Sequence, residues 1–181
     1  MESDLLLRFS LGPTAEQLVK EYRLEEVNSP PDMFNRSVVK EFYSNIPKEF
    51  PKSCQVVYVR GKFVTFTPNI ISKVLNLPYT SDEDFGMFVQ SVKSFNQHVL
   101  KSSCPLIHGC LWDFIKFNVL GTSNPVHTND ESKIILAMQK ALPVPFAQII
   151  FRSILSKRKS YRSQGMLDSP VSLIESAPRM A

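Results

Sequence analysis

The sequence predicts an α+β fold that is predominantly helical, with six to eight helices around a small β hairpin. Three observations carry this expectation. Apolar residues recur at steps of three and four along most of the chain, the spacing of one helix face. Residues 55–66 depart from that period and form two β-branched and aromatic runs on either side of a glycine. The 13 prolines in 181 residues belong at helix starts and in loops, because an interior proline loses a hydrogen bond and clashes with the preceding turn.

In chain order, Ala15, Leu18, Val19 and Tyr22 give a short amphipathic helix over Thr14 to Leu24. Asn28-Ser29-Pro30-Pro31-Asp32 follows as a loop. A second helix covers Arg36 to Asn45 with Val38, Val39, Phe42 and Tyr43 inward, and Ile46-Pro47 closes it. Gln55–Arg60 and Lys62–Phe66 read as the two strands of a hairpin or bulged turn cornered at Gly61-Lys62. Alternation sets Phe63 and Thr65 on one face and Val64 and Phe66 on the other. Two strands alone are not stable, so a helical layer must cover one face.

Thr67-Pro68 opens the next helix, with Thr67 as cap, Pro68 in the first turn, and Ile70, Ile71, Val74 and Leu75 as its buried stripe. Asp82, Glu83 and Asp84 suit the first turn of a segment reaching Val92, with Phe85, Phe88 and Val92 at core spacing. Residues 94–108 leave loop and short helix open. Leu111, Trp112, Ile115 and Val119 then repeat a helical stripe, broadened by Phe114. Thr128 and Glu131 form a capping box ahead of Ile134, Ile135, Met138 and Leu142. After a corner at Pro143–Pro145, a helix runs from Phe146 to about Lys157, using Phe146, Ile149, Ile150, Ile154 and Leu155. Pro170 starts a last short helix through Ser176.

The 43 % hydrophobic content and 13 Phe support a packed globule of one ordinary domain. Three cysteines in a chain of this size fit free thiols in a reducing compartment. No apolar run is long enough for a membrane span, and the opening MESDLLLRFS is acidic where a secretory signal is basic. The expectation is therefore an intracellular protein of nucleus or cytoplasm, not secreted and without a membrane partner. KRKSYR at 157–162 has the character of a short nuclear address, although such clusters are common on solvated surfaces.

The net charge of +4 is modest and speaks for a polyanion partner only where it is concentrated. Arg152, Lys157, Arg158, Lys159 and Arg162, with Tyr161 between them, form the densest basic stretch. It could contact phosphates and stack one base, or simply be a solvated helix end where cations are favoured. Arg60 and Lys62 bracket Gly61 and offer a second candidate edge, with a charged turn as the plainer reading. His98, Cys104, His108 and Cys110 are the right chemical types for tetrahedral zinc, but their spacing matches no standard zinc pattern and ordinary packing is preferred. Asp82, Glu83, Asp84, Asp113, Asp130 and Glu131 supply no carboxylate set placed by a strand for divalent metal ions. Gly-x-Ser-x-Gly and phosphate-loop glycine patterns are missing, so no enzyme site, no nucleotide site and no cofactor is expected.

One segment carries a family resemblance. Val59-Arg60-Gly61-Lys62-Phe63-Val64-Thr65-Phe66-Thr67-Pro68-Asn69-Ile70-Ile71-Ser72-Lys73-Val74-Leu75-Asn76-Leu77-Pro78 resembles the signature of the putative plant transposon protein domain of plant retroelement-related proteins. Val39–Asn45 is similar to its V-x-E-F-Y-A-N helix, and Trp112–Leu120 with Thr122, Ser123 and His127 to its Trp-containing helix and following loop. Leu136–Met138 through Ile149-Ile150 is similar to its late helices. The likeness spans roughly residues 34–176, leaving 1–33 as an N-terminal helix and loop and 177–181 as a tail. Asn76 stands where the family often has Gly, which predicts a looser helix ending, and Ser72 where it usually has Asn. The family commonly sits within longer polyproteins or fusions, so the resemblance implies a fragment or a diverged domesticated copy.

The resemblance implies ancestry rather than transposase chemistry, and it transfers no catalytic residue. The functional expectation is a non-enzymatic interaction or scaffolding domain derived from a plant retroelement, with a protein partner or self-association. The alternative is a nucleic-acid-binding module for RNA or DNA that uses the 152–162 stretch.

Overall fold

The computed structural model describes residues 13–29, 34–50, 55–93, 95, 108–121 and 129–163. Among them are seven α-helices, α1 (Pro13–Glu21), α2 (Arg36–Asn45), α3 (Pro68–Val74), α4 (Asp82–Lys93), α5 (His108–Phe114), α6 (Asn129–Gln139) and α7 (Phe146–Ser163). A two-stranded antiparallel sheet pairs β1 (Val56–Val59) with β2 (Lys62–Thr65), and a π-helical turn, Ile115–Val119, continues α5. The fold is thus α+β and mainly helical. The chain divides into two compact units, a larger one from residues 1–32 and 68–153 and a smaller one from 33–67 and 154–181.

The larger unit is built around α6. Ile134, Ile135, Leu136, Ala137 and Met138 are all buried, so this helix is enclosed on every side rather than laid on a surface. Leu111, Phe114, Ile115, Val119, Phe146 and Ile150 pack the same core. Tyr22, just past α1, donates its hydroxyl to the Leu142 carbonyl at 2.8 Å and sets its ring edge-on to Phe146 at 5.8 Å. Burial raises the Tyr22 phenol pKa, with the neighbouring Glu21 charge acting in the same direction. Asn118 donates to the Val27 carbonyl at 3.1 Å and so pins the loop after α1.

The π-helical turn revises the predicted stripe. Leu120 N–H bonds to the Ile115 carbonyl at 2.9 Å, five residues back, and the wider turn brings Lys116 inside beside Ile115 and Val119. Lys116 is 4 % exposed, with its ammonium 5.0 Å from the Phe117 ring centre. Trp112, expected inward, is half-buried.

Three helices of this unit end alike, and none ends on glycine. Arg23, Asn76 and Ala141 adopt the left-handed conformation at φ of 55°, 50° and 52°. In each case the next residue, Leu24, Leu77 or Leu142, bonds its N–H back to the carbonyl of Val19, Ser72 or Ala137 at 2.8–3.0 Å. This is the six-to-one closure of a Schellman motif, with a leucine in the position that packs back on the helix. Asn76 therefore closes α3 tightly, because asparagine tolerates the left-handed region better than most residues. The Ser72 hydroxyl adds a second tie, donating to the Leu77 carbonyl at 2.7 Å. That ending leaves Val74, expected in the stripe, 72 % exposed, while Leu77 is buried in its place.

In the smaller unit, α2 spans the predicted residues. Asn35 caps it by accepting from the Ser37 and Val38 amides at 3.0 and 3.3 Å. The inward residues Val38, Val39, Phe42 and Tyr43 are half-buried, and Ile46 is fully buried after the helix ends. Helix α7 runs to Ser163, six residues beyond the expected Lys157, because Lys and Arg support a helix interior and no breaker stands before Gly165. Its residues through Ser153 belong to the larger unit and those from Ile154 to the smaller. The expected helices near Phe95–Leu100 and Pro170–Ser176, and the Thr128 cap of α6, lie outside the described residues or depend on them.

Candidate functional site

The hairpin of the smaller unit is the most sharply built surface feature. Its corner is Arg60-Gly61 rather than Gly61-Lys62, because Val59 pairs with Lys62 and leaves a two-residue loop. Both loop residues have positive φ, 50° and 78°, as a type I′ turn requires to match the twist of the strands. Glycine takes the second position freely. The Arg60 conformation is held by α2 instead: its N–H donates to Glu41 Oε1 at 2.8 Å, its Nε lies 3.1 Å from Glu41 Oε2, and its Nη2 donates to the Ser37 hydroxyl.

The register pairs Val56 with Thr65, Val57 with Val64 and Tyr58 with Phe63. Alternation then separates two faces. Val57, Val59 and Phe66 form the buried one, and α2 supplies the helical layer over it, with Phe42 edge-on to Phe66 at 5.1 Å, while Phe50, past the helix, sets a tilted ring 6.4 Å from Phe66. Asn45 donates to the Tyr58 carbonyl at 2.7 Å, so the outer edge of β1 is tied to the same helix. The opposite face carries Tyr58 and Phe63, 44 % and 69 % exposed, with ring centres 5.3 Å apart and planes tilted by 58°. All four residues of β2, including Lys62, are exposed.

The basic stretch of α7 is not a single cationic row. Arg152 belongs to the larger unit, where its guanidinium stacks 4.0 Å from the Phe85 ring centre on α4. Lys157 is half-buried, and desolvation lowers its pKa. Arg158 donates through Nη1 to the carbonyls of Pro47 and Lys48, the latter at 2.6 Å, which satisfies acceptors just past the C-terminus of α2. Lys159, Tyr161 and Arg162 lie on α7, with side chains outside the described residues. Arg60, Lys62, Lys157, Arg158, Lys159 and Arg162 all belong to the smaller unit.

Charge divides sharply between the units. Among the described residues of the smaller one, nine Lys and Arg stand against Glu41 and Glu49 alone, whereas in the larger one eight Lys and Arg stand against ten Asp and Glu. The overall +4 conceals this segregation.

The acidic residues serve helix starts. Ser81 and Asp84 cap α4 reciprocally: the Ser81 N–H donates to Asp84 Oδ2 at 2.8 Å, and the Asp84 N–H donates to the Ser81 hydroxyl oxygen at 3.1 Å. These bonds lower the Asp84 pKa, the backbone bond most. Gln148, 3 % exposed on α7, donates Nε2 to the Thr80 and Ser81 carbonyls at 3.2 and 2.7 Å and to Asp82 Oδ1 at 3.3 Å. Among the described residues, no group of three or more His, Cys, Asp or Glu could hold a metal ion, and no helix is long and apolar enough to cross a membrane. His98 and Cys104 lie outside the described residues, as do the side chains of His108 and Cys110 on α5.

The sequence reading missed the aromatic pair, the buried Gln148 and the charge segregation. The first was within reach, since a two-residue loop at 60–61 makes 58 and 63 cross-strand partners. The other two depend on which distant segments pack together.

A protein-family model for a putative plant retrotransposon-related domain matches residues 20–174. No curated protein and no solved structure gives a significant match. The signature segment recognised in the sequence coincides with the hairpin, its Arg60-Gly61 turn and the tightly closed helix α3, and the matched region takes in every described helix but α1, of which it reaches only Lys20 and Glu21. The chain belongs to the putative plant retrotransposon-related domain family.

Proposed function

We propose that this chain is a non-catalytic interaction domain that binds a polyanion through its smaller unit. The observation that carries the reading is the concentration, among the described residues of that unit, of nine cations against two carboxylates, one of the two, Glu41, being held by Arg60. Neutralising phosphates with such a surface releases condensed counterions, a driving force that needs no deep pocket. With Arg60, Arg152 and Arg158 engaged inside the protein, the reading assigns the contacts to Lys40, Lys62, Lys159 and Arg162. It also places the protein at work inside the cell, in nucleus or cytoplasm, where nucleic acid is the abundant polyanion.

An acidic protein surface is the competing partner, and scaffolding by protein contact would use it. Titration of the purified chain with a fluorescent oligonucleotide across a salt series tests the reading. Contact with roughly three to six phosphates gives a log–log salt slope of about −2 to −4 on a single strand. Absence of binding at low salt would defeat it and leave protein assembly as the function to test by sedimentation.

A further inference from the structure

We infer that the partner is a single-stranded nucleic acid and that Tyr58 and Phe63 form the platform on which its bases stack. The inference rests on the polyanion reading above and deepens it with an independent observation, the exposed aromatic face of the hairpin. Tyr58 and Phe63 are cross-strand partners on the face that α2 does not cover. Cross-strand aromatic pairing helps a hairpin, but it does not require one ring to remain 69 % in water.

The platform is rigid at its base. The Tyr58 carbonyl is held by Asn45, and the adjoining turn by Glu41 and Ser37. The Tyr58 hydroxyl reaches toward the turn, 3.8 Å from where a Cβ on Gly61 would stand. A base inserted between two parallel rings needs their planes roughly 7 Å apart, twice the ordinary contact distance. At 5.3 Å and 58° the two rings cannot sandwich a base, so each offers its outer π-face, and the site takes one or two successive bases side by side.

Two arguments select the occupant. Charge selects a polyanion, since the aromatic face belongs to the unit whose described residues carry nine cations and two carboxylates, and a second copy of that unit would be repelled. Ring geometry selects a single strand, because a base in a duplex is already stacked on both sides and presents no face to a side chain. Lys62 pairs with Val59 and so starts from the opposite face of the hairpin, but it is exposed at the strand end, where its long stem can carry a phosphate contact at the edge of the site.

The test compares a labelled 12-nucleotide single strand with the duplex of the same sequence by fluorescence anisotropy, for the intact chain and for Phe63→Leu, Tyr58→Leu and Lys62→Gln. Leucine keeps the apolar character of these exposed positions and removes the π-face, at Tyr58 together with the hydroxyl, so Phe63→Leu is the cleaner of the two, and a thermal melt verifies folding of each variant. A strand carrying 2-aminopurine reports stacking directly through its emission. The expected result is single-strand binding at least about 10-fold tighter than duplex, weakened on the order of 10-fold by Phe63→Leu with the salt slope unchanged. Lys62→Gln is expected instead to flatten the slope by about one phosphate contact. Equal affinity for strand and duplex, or unchanged affinity and emission in both leucine variants, would overturn the stacking platform while leaving the polyanion reading in place. Absence of binding to either form overturns both.

Discussion

Ser81 and Asp84 show how much a helix start depends on two small side chains. The hydroxyl and the carboxylate exchange bonds with each other's amides, and the carboxylate is favoured in its charged form. A carboxyl whose folded pKa lies below its unfolded value adds stability above the ordinary carboxylate range and loses it as pH falls through the folded pKa. Ser81→Ala is expected to raise the Asp84 pKa toward its ordinary value, visible by NMR titration of the side chain. Loss of the hydroxyl cap should cost about 1 kcal/mol in chemical denaturation. Gln148 makes the opposite kind of prediction. Its Nε2 faces two carbonyl oxygens and a carboxylate, so Gln148→Glu sets oxygen against oxygen in a buried place. That change should destabilise by about 2–4 kcal/mol at neutral pH. The new carboxyl would have a raised pKa, so the loss shrinks as pH falls and protonation restores a donor, which melts at pH 4 and pH 7 would reveal.

At the level of elements, two glycines separate conformation from space. Gly61 sits at φ 78° with its nearest non-local neighbour 3.8 Å from a built Cβ, so Gly61→Ala meets strain rather than a clash, and a loss of about 1 kcal/mol is expected. Gly86 lies inside α4 with nothing within 4 Å of a built Cβ. Gly86→Ala should raise stability by up to about 1 kcal/mol, since alanine restricts the unfolded chain and suits the helix. Both changes are measurable as shifts in the denaturation midpoint. Most elements were legible in the sequence because their boundaries are local chemistry: Asn35 before α2, Ile46-Pro47 after it, Pro68 at the start of α3. The misreadings share a different cause. Val74 left the core because a left-handed Asn76 swung Leu77 in, and Lys116 entered it because the chain widened into a π turn, neither of which a fixed period of 3.6 can announce.

For the whole molecule the decisive property is where charge resides. A sequence reading with one net value of +4 could not separate segments 33–67 and 154–163 from the rest, because their association into one unit is a tertiary fact. The aromatic pair and the basic residues were visible singly, but their membership of the same unit was not. Equal changes of charge are therefore expected to act unequally. Lys40→Gln with Lys62→Gln should weaken oligonucleotide binding several-fold at low salt, whereas Lys20→Gln with Lys73→Gln, exposed cations of the larger unit, should leave it nearly unchanged. Similar losses from both pairs would mean that net charge alone governs binding.

The left-handed endings of α1, α3 and α6 have a consequence in the genetic code. Each holds a residue with a Cβ where glycine would fit with less strain, and Arg23, Asn76 and Ala141 are all exposed, so little packing opposes the exchange. Arginine and alanine codons lie one base change from glycine, whereas asparagine codons lie two away. Random single-base mutagenesis followed by selection for heat resistance should therefore return Arg23→Gly and Ala141→Gly first, each worth about 0.5–1 kcal/mol. Asn76→Gly would stay out of reach of a single step.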